Sequence, residues 1–341
     1  MRWIPIFLFQ SLCMVAFTSA SSGDRSNDFQ QCLLRCNDTD ECNEDSLSLV
    51  LKMTRWTCAD NCKYFCMHEI TAQALTSGKT IHQYYGKWPF YRLVAQEPAS
   101  VAFSFLNLYA HVKGARKLQR ELDDSHPMKI YYMGWSFVSM NTWIWSCLFH
   151  TRDTAFTEKM DYFSAALTIL VALYFTVIRL FHLYAPSPSR NSLLAQERSP
   201  RSRLRLKVWS ATCTLTFLGH ISYLNHLERF DYSYNVIFNL GIGLAHNILW
   251  LCYSLPSSLS FLRRFPGRSR RYRPHFVYKP VLLVSLITAA MALELLDFPP
   301  WFLVFDAHSL WHLSTAPIAY MWYEFLVEDA NDDSWKEQRL S

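Results

Sequence analysis

The sequence predicts an all-α membrane protein: a seven-transmembrane helix bundle that follows a small, disulfide-rich luminal N-terminal domain. Three observations predict this fold. From residue 98 onward, long apolar runs separated by polar connectors recur seven times. The connectors after the first, third and fifth runs are rich in Arg and Lys. Six cysteines are concentrated in the first quarter of the chain, after an apolar leader.

The composition agrees with a membrane protein. Of the 341 residues, 51% are hydrophobic and only 18% are charged, which is little charge for a soluble protein of this size. The net charge of +5 is concentrated in the connectors, a distribution that favours the positive-inside bias over a nucleic-acid surface. The sequence has neither a Gly-rich phosphate loop nor a Gly-x-Ser-x-Gly elbow. We therefore expect no nucleic acid, no nucleotide and no serine hydrolase of that type.

Residues 1–20 are predicted to be a secretory signal peptide. They combine Arg2, an apolar core from Ile4 to Phe17 and the small residues before Ser21. The alternative is a first membrane helix, but the apolar core is shorter than the roughly 20 residues that a span needs. We expect the mature chain to begin near Ser21.

Residues 21–95 are predicted to form the luminal cysteine-rich domain. An even number of cysteines after a signal peptide indicates three disulfides, and the sequence leaves their pairing open. Recurrence every four residues would align the cysteines of each group on one helical face, so we expect two short helices joined by disulfides. Zinc binding is the alternative, which an oxidising lumen disfavours. The six residues are Cys32, Cys36, Cys42, Cys58, Cys62 and Cys66.

A glycosylation sequon lies in the same segment, at Asn37-Asp38-Thr39. The motif is short, and it gains weight because the signal peptide places this segment in the lumen. We therefore expect a glycan on Asn37.

Most of the seven apolar runs are long enough to cross a bilayer as helices. The first run is the weakest, because Asn107 interrupts it and it ends at His111 and Lys113. Residues 96–328 are assigned to the membrane domain and residues 329–341 to a cytosolic tail. The runs cover about residues 98–115, 128–149, 160–184, 206–226, 232–255, 277–297 and 300–327.

Charges in the connectors set the orientation. The connectors near 150–160, 227–231 and 297–300 are short and not basic, whereas the connectors between them carry many cations. Cytosolic loops carry the excess of Lys and Arg, so the alternation predicts a luminal N-terminus, seven spans and a cytosolic C-terminus. The two most basic connectors hold Arg190, Arg198, Arg201, Arg203, Arg205 and Lys207, and Arg263, Arg264, Arg268, Arg270, Arg271, Arg273 and Lys279.

Two pairs of polar residues in the spans repeat one spacing. His308 and His312 are four residues apart, and so are Ser146 and His150. On a helix, residues with this spacing lie on one face, where two imidazoles can bind one metal ion. Asp161 follows His150 after a short polar connection. Three histidines would leave a zinc ion with an open position for water, as in catalytic zinc sites.

The predicted topology adds a second argument for a site. Ionisable groups within spans are costly unless they face the bundle interior and find partners, so a functional site is the default interpretation. His220 and His226, near the luminal end of the fourth span, are rivals for the third ligand, but they lack an equally clear pair. Four groups fall at similar depth near the luminal side: His150, Asp161, His308 and His312.

These motifs resemble a known family. Ser146, His150 and Asp161, with the late Asp-Ala-His-Ser-Leu-Trp-His at 306–312, resemble the CREST superfamily of seven-span membrane hydrolases, which includes alkaline ceramidases and adiponectin-receptor-like proteins. Within it, the cysteine segment with Trp-Thr-Cys-Ala-Asp-Asn-Cys-Lys-Tyr-Phe-Cys at 56–66 resembles the branch of GPI-anchor lipid-remodelling phospholipases. The likeness covers essentially the whole chain.

The resemblance implies a function and a cofactor. It implies a Golgi membrane enzyme, with the endoplasmic reticulum as the alternative location. Its expected activity is a phospholipase A2-type reaction that removes the sn-2 acyl chain from the lipid of GPI-anchored proteins. The expected partners are therefore GPI-anchored proteins and membrane lipids. It also implies that Zn²⁺ is bound by His150, His308 and His312.

Roles for the remaining site residues follow from the chemistry of ester hydrolysis. Asp161 is the expected base for the attacking water, and Ser146 is expected to donate to the developing oxyanion or to the metal-bound water. Ser146 as a covalent nucleophile is the lesser alternative, because the sequence shows no additional histidine as its base. Two other classes stay open: a ceramidase-like amidase, and a seven-span receptor or scaffold in which zinc serves stability alone.

Overall fold

The computed structural model describes residues 21–38, 47–91, 95–184, 200–228, 230–294, 296 and 298–337. Within these ranges every named element is a helix, which confirms the all-α prediction. The signal peptide predicted at residues 1–20 lies outside the described residues. The helices are α1 Asn27–Asp38, α2 Leu49–Met53, α3 Cys58–Thr76, α4 Pro98–Glu121, α5 Lys129–Thr151, α6 Ala155–Leu180, α7 Pro200–His226, α8 Tyr232–Ser254, α9 Lys279–Glu294, α10 Ala307–Ala330 and α11 Ser334–Glu337, with a 3₁₀ turn at His275–Tyr278 before α9.

Helices α4 to α10 fall on the seven apolar runs of the sequence. Three stretches in the described part of the chain are long and apolar enough to cross a membrane: Ala155–Leu180, Tyr232–Ser254 and His275–Leu293. The chain therefore has membrane-spanning character, and the full set of seven spans stays a prediction.

Three helix starts differ from the apolar runs: α7 begins at Pro200, before the run at about 206–226, and the other two differences have local reasons. Helix α6 begins several residues before the apolar run, because Thr154 and Thr157 form a reciprocal capping box. Helix α10 begins at Ala307, after the start of the last run, because the chain first forms a turn closed by a bridge between Trp301 and Phe305. Pro300 precedes that turn and disfavours a helix through this stretch.

The described chain divides into two compact units. The first comprises residues up to Ala99, His150–Arg152 and Ala292–Leu310. Its N-terminal part joins α1 to α3 by two disulfides, Cys32–Cys66 and Cys36–Cys62. Two disulfide-linked helices agree with the sequence prediction, which left the pairing of the cysteines open.

The other cysteines predicted to form disulfides and the predicted glycan site are only partly described. Cys58 is also disulfide-bonded, and Cys42 lies outside the described residues. Asn37 is exposed near the end of α1, while Thr39 of its sequon lies outside the described residues. The glycan on Asn37 therefore stays a prediction.

The second unit comprises Ser100–Phe149, Asp153–Met291 and Trp311–Ser341. Its core is rich in aromatic side chains, and it contains the close approach of α4 to α10 at Gly114. A Cβ at Gly114 would lie 2.1 Å from the Tyr323 ring, so only glycine fits there without a shift. The largest fully buried members of this core include Trp250, Tyr132, Tyr253, Tyr323, Phe325 and Phe175.

A buried ion pair lies within that core. Arg179 donates to both carboxylate oxygens of Asp329, at 2.7 and 2.8 Å, and both side chains have no exposed surface. The hydroxyl of Tyr253 also donates to Asp329, at 2.8 Å, and a third Arg179 nitrogen donates to the carbonyl of Arg264. Each charged group is thus hydrogen-bonded, which a buried pair requires.

Candidate metal centre

The turn before α10 places His308 in the first turn of that helix. Asp306 accepts from the backbone N–H of Ser309 at 2.9 Å, and the Ser309 hydroxyl accepts from the backbone N–H of Asp306 at 3.0 Å. This reciprocal cap satisfies two donors that a helix start leaves unpaired. The helix then carries His312 one turn after His308, on the same face.

His150 occupies the last turn of α5. Its Nε2 lies 3.4 Å from Nε2 of His308. The three histidines His150, His308 and His312 each offer a ring nitrogen, and these nitrogens all lie within 4.8 Å of one another. His150 and His312 are buried, and His308 is half-buried. The structure thus brings together the three histidines that the sequence singled out.

The partners of the other ring nitrogens fit a metal site. Nδ1 of His150 is 2.7 Å from a carboxylate oxygen of Glu97, and Nδ1 of His312 is 2.9 Å from the hydroxyl of Ser104. Metal-binding histidines in proteins usually donate their second ring N–H to such a carboxylate, carbonyl or hydroxyl group. Nε2 of each of these two histidines can therefore bind a metal ion, and a set of imidazole nitrogens fits zinc.

Ser146 is buried one turn before His150 on α5. Its hydroxyl is 2.9 Å from the hydroxyl of Ser104. Ser104 therefore connects Ser146 with His312. Ser104 and His312 are 208 positions apart in the sequence. Trp143 packs its ring edge against His312, with ring centroids 5.2 Å apart, and makes this side of the site apolar.

Asp161 lies in the second turn of α6 and is partly exposed. Its backbone carbonyl accepts from the hydroxyl of Ser164 at 2.9 Å. Its carboxylate interacts electrostatically with Cys147, the neighbour of Ser146 on α5. Among the described residues, the group of clustered ligand atoms consists of histidines and does not include Asp161.

The rival histidines lie elsewhere. His220 is buried in an aromatic stack, with its ring centroid 3.9 Å from that of Phe238. His226 is the last residue of α7. Neither belongs to the histidine group found in the described part of the chain, so the geometry favours His150 as the third ligand.

Glu97 and Ser104 belong to the site although the sequence motifs did not indicate them. Glu97 is the acid directly before Pro98, which begins the first apolar run. Its side chain is 7% exposed and pairs with Lys87 at 2.6 Å. Burial alone would raise the pKa of Glu97, but the Lys87 ammonium and His150 hold that pKa well below its usual value.

The signal for Ser104 was in the first apolar run. Ser100, Ser104, Asn107 and His111 recur at helical spacing, and all four are buried. Asn107 donates to the backbone carbonyl of His312 at 2.6 Å, and Nδ1 of His111 lies 2.8 Å from the hydroxyl of Tyr323. The polar residues that make this run the weakest by hydropathy are thus the ones that contact α10.

Comparison with known proteins identifies the class and then the family. The described chain combines a cluster of three histidines on two helices with three other helices that are long and apolar enough to cross a membrane, which defines a candidate membrane metalloprotein. The chain belongs to the Per1-like family, whose family model matches residues 48–330. This assignment confirms the resemblance inferred from the sequence motifs.

Relatives cover nearly the whole chain. It is 38% identical over 324 residues to "GPI-specific phospholipase A2-like PGAP3" of Cricetulus griseus, covering 93% of this chain and 91% of that protein. The human protein of the same name is 36% identical over 323 residues, covering 92% of this chain and 91% of that protein. "Protein PER1 homolog" of Schizosaccharomyces pombe is 36% identical over 337 residues, covering 97% of this chain and 93% of that protein. No solved structure matches the chain.

Proposed function

We propose that this chain is a zinc-dependent phospholipase that remodels GPI anchors by removing the sn-2 acyl chain from the lipid of GPI-anchored proteins. The observation that carries the proposal is the three-histidine group, with a hydrogen-bond partner on Nδ1 of both His150 and His312. Relatives over more than 90% of the chain are named GPI-specific phospholipase A2-like, which supports the substrate class.

His150, His308 and His312 would hold the zinc ion. When bound there, zinc supplies a Lewis acid that polarises the ester carbonyl and lowers the pKa of water toward about 7. The carboxylate of Asp161 accepts a proton from the attacking water as the water adds to the ester carbonyl carbon. Asp161 then returns that proton to the leaving glycerol oxygen, so the products are a fatty acid and a lyso-lipid.

Hydrogen-bond polarity gives Ser146 its role. If Nε2 of His312 serves as a ligand, its Nδ1 carries the proton and donates to the Ser104 hydroxyl. Ser104 then donates its own proton to the Ser146 oxygen, 2.9 Å away. Ser146 is left with its O–H as a donor for the developing oxyanion. The same polarity disfavours Ser146 as a nucleophile, because Ser104 cannot act as its base.

A membrane-embedded site suits this substrate. The acyl chains of a GPI lipid lie in the bilayer, whereas the glycan and the attached protein lie outside it. Histidines at the luminal ends of α5 and α10, in the topology that the connector charges predict, would meet the ester at that boundary. We propose the Golgi membrane as the location, with the endoplasmic reticulum as the alternative.

The test is a lipid-product assay with purified full-length protein in liposomes. A GPI-anchored protein and a ceramide are offered as substrates, and mass spectrometry identifies the fatty acid and the lyso-lipid. We expect wild type to release the sn-2 fatty acid. Asp161→Asn should keep its zinc and lose about 10²- to 10⁴-fold in turnover, the usual contribution of a general base.

Glu158→Gln is the matched control, since Glu158 lies one turn before Asp161 on α6 and accepts a hydrogen bond from Tyr232. Its turnover should equal that of wild type. Cleavage of ceramide instead of the GPI lipid would establish the amidase alternative. A wild type that retains zinc and releases no fatty acid would favour the receptor class, and an Asp161→Asn enzyme at the wild-type rate would remove Asp161 from the mechanism.

A further inference from the structure

Three side chains form a continuous series of contacts from the surface to the candidate metal centre: Lys87, Glu97 and His150. Lys87 donates to one carboxylate oxygen of Glu97 at 2.6 Å, and the other oxygen of Glu97 is 2.7 Å from Nδ1 of His150. The exposed fraction falls along the chain, from 34% for the Lys87 side chain to 7% for Glu97 and 2% for His150. This series of contacts therefore runs from solvent to the candidate metal centre.

Lys87 belongs to the disulfide-linked N-terminal part of the protein. Its backbone N–H and carbonyl both pair with Tyr84, at 3.0 and 2.8 Å, and close a turn at Gly86, where φ is +82°. Tyr84 is buried against Phe29, in the small core that also holds the Cys32–Cys66 disulfide. The disulfide-linked core thus fixes the turn that presents Lys87.

A second contact holds the same end of α5. Arg152, just after that helix, donates to Asp60 in the capping box of α3 at 2.7 Å and lies over the Trp56 ring at 4.9 Å. The backbone N–H of Glu97 donates to the carbonyl of His150 at 3.0 Å. The N-terminal segment therefore contacts both the predicted ligand His150 and Arg152, two residues after it.

The two carboxylate oxygens of Glu97 have different partners and different roles. One accepts the Nδ1 proton of His150, which holds the ring in the tautomer that presents Nε2, the atom 3.4 Å from Nε2 of His308. The other is held by Lys87. A buried carboxylate needs such a partner, and the pairing also stops the Glu97 side chain from rotating away from His150.

We propose that the disulfide-linked N-terminal segment is part of the metal centre, with Glu97 as the positioning residue for His150 and Lys87 as the positioning residue for Glu97. The inference rests on the proposed zinc site and adds a role for the cysteine-rich segment. It predicts that zinc affinity depends on a residue of that segment which does not touch the metal.

The experiment measures zinc affinity of the purified full-length protein by competition with a chromophoric chelator. Loss of an outer partner of a ligating histidine typically weakens metal binding about 10- to 100-fold, and we expect this for Glu97→Gln. Lys87→Met should show a smaller loss in the same direction, and Lys87→Arg should restore most of the affinity. Lys63→Met is the control, because Lys63 lies in the same segment and pairs with Asp60 instead.

A spectroscopic measurement separates positioning from a general loss of structure. Co²⁺ replaces zinc, and its visible absorption bands report the ligand geometry. We expect Glu97→Gln and Lys87→Met to shift these bands at saturating Co²⁺, while the Lys63→Met spectrum stays that of wild type. If Glu97→Gln fails to fold, the Lys87→Met protein alone tests the positioning roles. Its substitution should be tolerated because the Lys87 side chain is one-third exposed.

The outcomes distinguish this inference from the proposed function. A wild type without zinc affinity would overturn the zinc site, and this inference with it. A wild type that binds zinc, alongside Glu97→Gln and Lys87→Met proteins with the same affinity and the same Co²⁺ spectrum, would overturn the positioning roles and leave the metal site standing. Equal losses in Lys87→Met and Lys63→Met would also overturn the inference.

Discussion

Glu97 and Asp329 are both buried carboxylates that pair with a cation, and the comparison of their surroundings is instructive. Asp329 accepts two hydrogen bonds from Arg179 and one from Tyr253. Glu97 binds Lys87 with one oxygen and His150 with the other. Both carboxylates are thus satisfied, and neither burial nor ion pairing separates them.

The difference is where each network ends. The partners of Asp329 are side chains packed in the core around it, and Arg179 directs its remaining contacts to the Arg264 carbonyl and to the Phe265 ring, 4.8 Å away. The Glu97 network ends in the facing Nε2 atoms of His150 and His308. Two imidazole nitrogens that face each other in this way can share a cation. The Asp329 network therefore stabilises the fold, whereas the Glu97 network leads to the proposed metal site.

The largest effect should come from removing histidines of the proposed metal centre. We expect His308→Ala and His312→Ala each to abolish both zinc retention and hydrolysis, because metal ligands act as a unit. The double variant should add little to either loss. Metal analysis of the purified proteins, with the fatty-acid assay, checks this.

His220→Ala is the control, since His220 was the rival ligand and is stacked on Phe238. It should keep one zinc per chain. Zinc that persists undiminished in the His308→Ala, His312→Ala double variant would show that the site is elsewhere.

The second effect should separate the two carboxylates. Asp329→Asn leaves the fully buried Arg179 without its counter-charge, and breaking a buried pair in this way typically costs about 3 to 5 kcal/mol of unfolding free energy. The remaining folded protein should bind zinc with wild-type affinity. Denaturant unfolding in detergent and chelator competition measure the two quantities. An Asp329→Asn protein that keeps its stability but weakens zinc binding as Glu97→Gln does would contradict this distinction between the two carboxylates.

The smallest effect concerns Ser104. Ser104→Ala removes the link between His312 and Ser146, and one hydrogen bond contributes about 0.5 to 1.5 kcal/mol. We therefore expect turnover at saturating zinc to fall by roughly 2- to 10-fold. Ser100→Ala is the matched control, because Ser100 lies one turn earlier on α4 and its hydroxyl has no hydrogen-bond partner among the described residues. An equal loss in both variants would assign Ser104 to packing alone.

The sequence by itself determined the elements of this protein that depend on local periodicity. His308 and His312 share a helical face because their spacing is close to one turn, and the cysteines within α1 and within α3 each share a face for the same reason. The apolar runs located seven helices, since hydropathy records the environment of each segment. The family also followed from the motifs at 56–66 and 306–312.

The tertiary structure alone decided which distant groups meet. Glu97 contacts His150 across 53 residues, and Ser104 contacts His312 across 208. Neither contact leaves a periodic signal, because hydropathy records whether a residue is buried and says nothing about its partner. The same holds for the pairing of Cys32 with Cys66, which is one of several that the spacing allows. Hydrogen bonds of this kind depend on distances of a few ångströms between helices, and only the folded chain sets those distances.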